Sequence, residues 1–182
     1  MLPADGQVRP PVPVIPRDAV AEDSGTGAST AYAHAGERSV LRCGIRLAGG
    51  AIALLLPPQR PAELLRGIAV CAVPNVPRWF IGMANLRGEL VPVFDLLDHL
   101  GIAVARSLRA ADLLVVGTGA SAFAIPVASE PEVLTLTVPS SDAPPPEAAL
   151  AAFVSQAWLG PEGYWYDFEF DRWLRCLASA DG

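Results

Sequence analysis

Positive charge is scarce and scattered. The chain carries 13 Lys and Arg against 19 Asp and Glu, a formal net charge of −6, and no basic cluster anywhere along its length. A nucleic-acid binder presents a basic face, and attraction to an anionic membrane needs a polybasic stretch, so neither partner is expected. Long apolar runs are missing as well. Ala51–Leu56 ends at a proline pair and falls far short of the roughly 20 residues that cross a bilayer, so no direct membrane insertion is expected. The N-terminus has neither the basic region nor the apolar core of a secretory signal, which predicts a cytoplasmic protein. Cysteine is sparse: Cys43, Cys71 and Cys176 are far apart, with no CxxC spacing. Zinc needs about four ligands, and only His34 and His99 are there to add to them, so the cysteines read as small hydrophobes.

Catalytic patterns are equally absent. Ser121 sits in Gly119-Ala120-Ser121-Ala122-Phe123, which is not a nucleophile elbow. Gly117-Thr118-Gly119 lacks the further glycine and the helix of a phosphate cradle, and no Walker, EF-hand or HExxH motif occurs. His99 falls near the end of a short predicted helix, Leu96–Leu100, where a cationic imidazole would complement the helix dipole. Asp95 and Asp98 flank the start of that helix and read as caps rather than as an acid–base pair. A non-enzymatic protein without cofactor or metal is the expectation.

What the chain does have is a core. Hydrophobic residues make up 52% and charged residues 18%, enough for one domain or two small sub-barrels. Residues 1–37 differ. Pro3, Pro10, Pro11, Pro13 and Pro16, followed by the small, polar stretch Asp23–Ala35, predict a disordered extension acting as a tether. Its proline-rich part also has the composition of a polyproline ligand. From Val40 onward short apolar runs alternate with glycine and proline. Strands are expected at Val40–Leu47, Ala51–Leu56, Ile68–Val73, Asp112–Gly117, Ala122–Val127, Pro131–Leu136, Phe153–Leu159 and Gly163–Phe168. Ala62–Arg66 reads as a strand or one helical turn, Arg106–Ala111 as a linker, and Pro139–Pro146 as a surface loop. Helices are expected at Glu147–Ala152 and Phe170–Leu177, with 179–182 as a short tail. In Tyr164–Phe168, either Tyr164, Tyr166 and Phe168 or Trp165 should face the core. Many short strands with few helices give a mainly β fold, barrel or sandwich.

The most informative stretch runs from Val73 to Gly101. Pro74-Asn75-Val76-Pro77 is a turn cluster in which Asn75 can cap a short helix over Arg78–Met83, burying Trp79, Ile81 or Met83. Asn85-Leu86-Arg87-Gly88 is a turn with Gly88 at positive φ, and Glu89–Phe94 is a strand. Pro92 cannot donate to a ladder, so that strand should be an edge or be bulged there. Asp95 caps the next helix and Gly101 terminates it.

This stretch resembles the signature of the CheW-like coupling domain of bacterial chemotaxis and type IV pilus signalling. The matching residues are Pro74, Pro77, Gly82, Asn85-Leu86-Arg87-Gly88, Pro92 and Asp95-Leu96, with weaker similarity from about Arg42 to Leu174. The resemblance implies two five-stranded SH3-like β-barrels around a common core over residues 38–178. It implies an adaptor bridging the cytoplasmic tip of methyl-accepting chemoreceptors to a CheA-type histidine kinase, at membrane-associated receptor arrays. Barrel edges would contact the kinase, and a groove between the barrels would take the receptor's helical hairpin. A PilI-like adaptor of twitching motility, or a kinase-binding regulatory or decoy module without a receptor, fits the same signature. Glu63 stands where the family often has a glutamate pairing with the turn arginine, here Arg87. Two departures stand out. Ile125-Pro126-Val127-Ala128-Ser129 has no aspartate where the family usually carries Val-Asp, and Pro57-Pro58-Gln59-Arg60-Pro61 replaces a strand with prolines.

Overall fold

A computed structural model of the chain describes residues 39–103, 112–137, 139–144, 146–160 and 162–179. β1 (Val40–Leu47) and β2 (Ile52–Leu55) form an antiparallel hairpin over the Ala48–Gly50 turn, where both glycines take positive φ. The proline segment then crosses to a second sheet at β3 (Ala62–Leu65). Arg60 anchors that crossing, donating to Asp171 Oδ1 at 2.5 Å and to the Ser121 carbonyl at 3.4 Å. β4 (Val70–Cys71), β5 (Phe80–Leu86), β6 (Glu89–Phe94) and α1 (Leu96–His99) follow. β7 (Asp112–Val116), β8 (Phe123–Val127), β9 (Glu132–Leu136), α2 (Ala148–Ala151), β10 (Val154–Gly160), β11 (Gly163–Phe168) and α3 (Phe170–Ser179) complete the order. The expectations for residues 1–37, His34 and the Arg106–Ala111 linker lie outside the described residues. α3 runs two residues past the expected helix end at Leu177.

The strands form a five-stranded sheet, β10-β11-β2-β1-β9, and a six-stranded sheet, β3-β7-β8-β6-β5-β4. Both curl. Just beyond β9, Pro139 bridges to Trp158 on the opposite edge strand, β10. In the second sheet the β5–β6 tip reaches the edge strand β3 through Arg87 and Glu63. The six strands replace the five expected there, because the two-residue β4 pairs separately with β5.

Period-2 alternation distributes side chains among three cores. On β2, Ile52 and Leu54 face a core shared by both sheets, while Ala53 and Leu55 face the interior of the first with Leu134, Leu136 and Trp165. On β7, Leu114 and Val116 face the shared core, and Leu113 and Val115 fill the second sheet's interior with Ala84, Val91, Val93 and Ala124. Strands buried on both faces explain why these segments read as continuous apolar runs. They also settle the aromatic hairpin. Trp165 lies inside the first barrel and Phe168 in the shared core, so both faces of β11 bury an aromatic ring.

Two local expectations fail. Arg78–Met83 is not helical: β5 begins at Phe80, and Asn75 sits in a turn at φ 59 instead of capping a helix. Antiparallel pairing with β6 satisfies the β5 backbone, which a short proline-flanked helix could not match. Nor is the Pro92 strand an edge. β6 lies between β8 and β5, and the register shift falls on β5, between Phe80 and Gly82. The closing pair of the two-residue hairpin is Leu86–Glu89, which puts Met83–Pro92 in the wide, non-hydrogen-bonded phase. The missing N–H therefore points toward β8, where pairing is limited to Val93 opposite Ala124. The expected strand over Ile68–Val73 shrinks to Val70–Cys71.

Candidate functional site

The β5–β6 hairpin gathers most of the signature. Arg87 (φ 55) and Gly88 (φ 90) are its two turn residues, the positive-φ pair of a type I′ turn. Asn85 Oδ1 accepts from the Gly88 N–H at 3.0 Å, locking the tip. Leu86 turns inward against the second barrel's core. A Cβ on Gly88 would meet nothing within 4 Å, so only backbone strain opposes a side chain there. Gly88→Val is therefore expected to cost about 1–2 kcal/mol in urea unfolding. Unchanged stability would show that the turn relaxes freely.

Arg87 grips Glu63 of β3 with two prongs: Nη2 donates to Oε1 at 2.8 Å and Nη1 to Oε2 at 3.4 Å. Their side chains are 81% and 47% exposed. Solvent screening limits such a pair to about 1 kcal/mol, so it positions the tip more than it stabilises the fold.

Beside the tip lies an apolar face that sequence reasoning missed. Cys71, Met83 and Pro92 stand opposite one another across β4, β5 and β6, and Leu90 stands opposite Asn85. Their neighbours Ala84 and Val91 are buried, which turns this row outward. Leu90 is 67% exposed, and Met83 and Pro92 are half-buried. An exposed leucine alternating with buried valines was the available signal. Apolar surface rimmed by arginine is what a protein-binding patch presents.

The base of the hairpin is rigid. Gly82 is buried against β4. Asp95 N–H donates to the Trp79 carbonyl at 2.6 Å, and Asp95 Oδ1 accepts from Asp98 N–H at 2.9 Å, capping α1. Gly101 (φ 69) ends α1: its N–H reaches the Asp98 carbonyl and that of Ile102 the Leu97 carbonyl, a Schellman motif. Glu63, Asn85, Leu86, Arg87 and Gly88 thus converge at one end, Gly82 and Pro92 lie midway, and Asp95 stands at the other. His99 departs from expectation. It accepts a hydrogen bond at Nδ1 from Trp173 Nε1 at 3.0 Å, and burial lowers its pKa, so it is neutral rather than a cation serving the helix dipole.

Among the described residues, no group of three or more His, Cys, Asp or Glu could hold a metal ion. The Cys43 thiol is half-buried, with its pKa raised by burial; Cys71 and Cys176 are exposed. Among the described residues no helix is long and apolar enough to cross a membrane. A depression of about 390 Å3 opens beside α2, lined by Ile52, Ile102, Leu150 and Tyr166 among others.

Comparison with known proteins gives two findings. The CheW-like domain matches residues 45–164. The crystal structure of the scaffolding protein TtCheW from Thermoanaerobacter tengcongensis is similar at a TM-score of 0.55 and 19% identity, covering 72% of this chain and 89% of that one. That likeness concerns the fold. No curated protein matches the chain. The family match takes in strands of both curled sheets and the whole β5–β6 hairpin, so the chain belongs to the CheW-like domain family, the scaffolding adaptors of chemotaxis signalling.

Proposed function

We propose that this protein couples the cytoplasmic tips of methyl-accepting chemoreceptors to a CheA-type histidine kinase, with the β5–β6 hairpin as part of its docking surface. The observation that carries the reading is the locked tip, with Arg87 held by Glu63 beside exposed Leu90. A scaffold needs stable shape and exposed apolar area, and that is what this face supplies. On this reading the receptor's helical hairpin docks in a groove between the two barrels, in a helix-in-groove mode. On this reading the protein works in the cytoplasm at receptor arrays. Chemotaxis and type IV pilus control use the same arrangement, and the receptor and kinase recovered in a pull-down assign the branch. Recovery of kinase alone would favour a regulatory or decoy module.

A charge swap tests the surface. Arg87→Glu places two carboxylates together and should weaken kinase or receptor binding at least about tenfold, or 1.4 kcal/mol. The double change Arg87→Glu with Glu63→Arg should restore the melting temperature without restoring binding. Binding that recovers with stability would reduce Arg87 to a structural part. Full binding by Arg87→Glu alone would remove the tip from the interface. Leu90→Asp should also weaken binding while leaving stability unchanged, since the side chain is mostly solvated.

A further inference from the structure

The junction between α1 and α3 contains a titratable group that the docking surface does not use. His99 is the last residue of α1. Its ring stands edge-on to Trp79, with centroids 5.5 Å apart at 90°, and lies 6.0 Å from the Trp173 ring on α3. The Trp173 indole N–H donates to His99 Nδ1 at 3.0 Å. An indole nitrogen only donates, so Nδ1 carries no proton here and the imidazole is neutral, protonated on Nε2. An imidazolium has two donors and no acceptor. No rotation of a protonated ring can keep this bond.

We propose that the His99–Trp173 pair is a proton-sensitive pin that makes the seating of the C-terminal helix on α1 depend on acid. Taking up one proton at His99 breaks the bond and sets two N–H donors against each other. α3 is the element that responds, because its anchors Phe170, Trp173 and Leu177 are buried in the shared core and α1 enters the same core through Leu96 and Leu97.

Arg175 of α3 is exposed, and the other charged groups on the packed elements are tied elsewhere. On α1, Asp95 caps the helix and Asp98 pairs with Arg78 at 3.9 Å, Arg78 being the charge on the segment that carries Trp79. On and beside α3, Asp171 holds Arg60 and Glu169 pairs with Arg172. The faces meeting the imidazole are aromatic, and burial lowers its pKa from the ordinary 6.5. With α3 released, His99 returns toward 6.5. Above that pH both states are neutral and the pin holds fully. As pH falls below 6.5 the released state binds more protons, so release is favoured until the lowered pKa of the seated state is passed. One proton limits the effect to about tenfold per pH unit.

Hydrogen exchange on the full chain at pH 7.5 and pH 5.5, corrected for intrinsic rates, tests this. Protection of amides 171–178 should fall severalfold at the lower pH relative to β7 and β8. His99→Asn keeps a neutral acceptor that does not titrate, so its α3 protection should be the same at both values. A proton-NMR titration gives an independent reading. His99 should titrate below 6.5 in the parent chain and closer to 6.5 in Trp173→Phe, with His34 assigned by its persistence in His99→Asn. If His99→Asn does not fold, the titration of the parent against Trp173→Phe still decides. Unchanged α3 protection in the parent, the same loss in a folded His99→Asn, or an ordinary His99 titration each overturns the proposal.

Discussion

Gly82→Ala should destabilise this domain by about 3–5 kcal/mol, a large part of the 5–15 kcal/mol that typically holds a domain together. Two effects combine at this position. Its φ is +145°, which side-chain-bearing residues rarely adopt. A Cβ there would lie 2.1 Å from the Cys71 carbonyl oxygen, 2.8 Å from the Cys71 carbonyl carbon and 3.0 Å from Ala72 Cα. These are backbone atoms of β4 and of the residue that follows it, so no flexible side chain can swing aside. Relief requires β4 to leave β5, and among the described residues β4 has no other sheet neighbour. Gly88→Val is the internal control, since it also replaces a positive-φ glycine but meets open space. Urea unfolding followed by far-UV circular dichroism should separate the two by at least about 1 kcal/mol. Near-parental stability in Gly82→Ala would show that β4 does not press on β5 as closely as described.

Trp173→Ala is the second large effect, also expected at about 3–5 kcal/mol. Trp173 is fully buried, and its ring packs against Phe94 of β6, Phe123 of β8, Phe168 of β11, Phe170 of α3 and His99 of α1. Those partners come from both sheets and two helices, so the cavity has no single neighbour able to fill it. Trp173→Phe keeps most of the packing and loses the N–H, and should cost about 1–2 kcal/mol. A loss below about 1.5 kcal/mol for the alanine variant would mean that α3 caps a core already complete without it.

Legibility followed the range of the interactions. The Asp95 cap, the Gly101 terminator and positive φ at Gly88 are each decided within about four residues, by sterics and local hydrogen bonds. They could be read directly. The apolar runs of β2, β7 and β8 showed buried strands, but not that each strand serves two cores, because that depends on a second sheet covering the outer face. The Glu63–Arg87 pair came from family resemblance; nothing in the residues between them selects that partner.

The failures also share a cause. The Arg78–Met83 stretch carries turn and helix signals, and only the presence of β6 makes it a strand. Pro92 looked like an edge residue because a missing N–H is costly in a central strand. The hairpin register turns that gap toward β8, where little pairing is required. The charge state of His99 rests on an indole 74 positions away. By itself the sequence determined the turns, the caps, which segments are apolar enough to be buried, and the signature that marks the family. The tertiary structure decided strand partners, hydrogen-bond phase, the outward apolar face at Leu90 and the protonation of His99. Each of these is a property of two segments in contact, and a contact energy cannot be read from either segment alone.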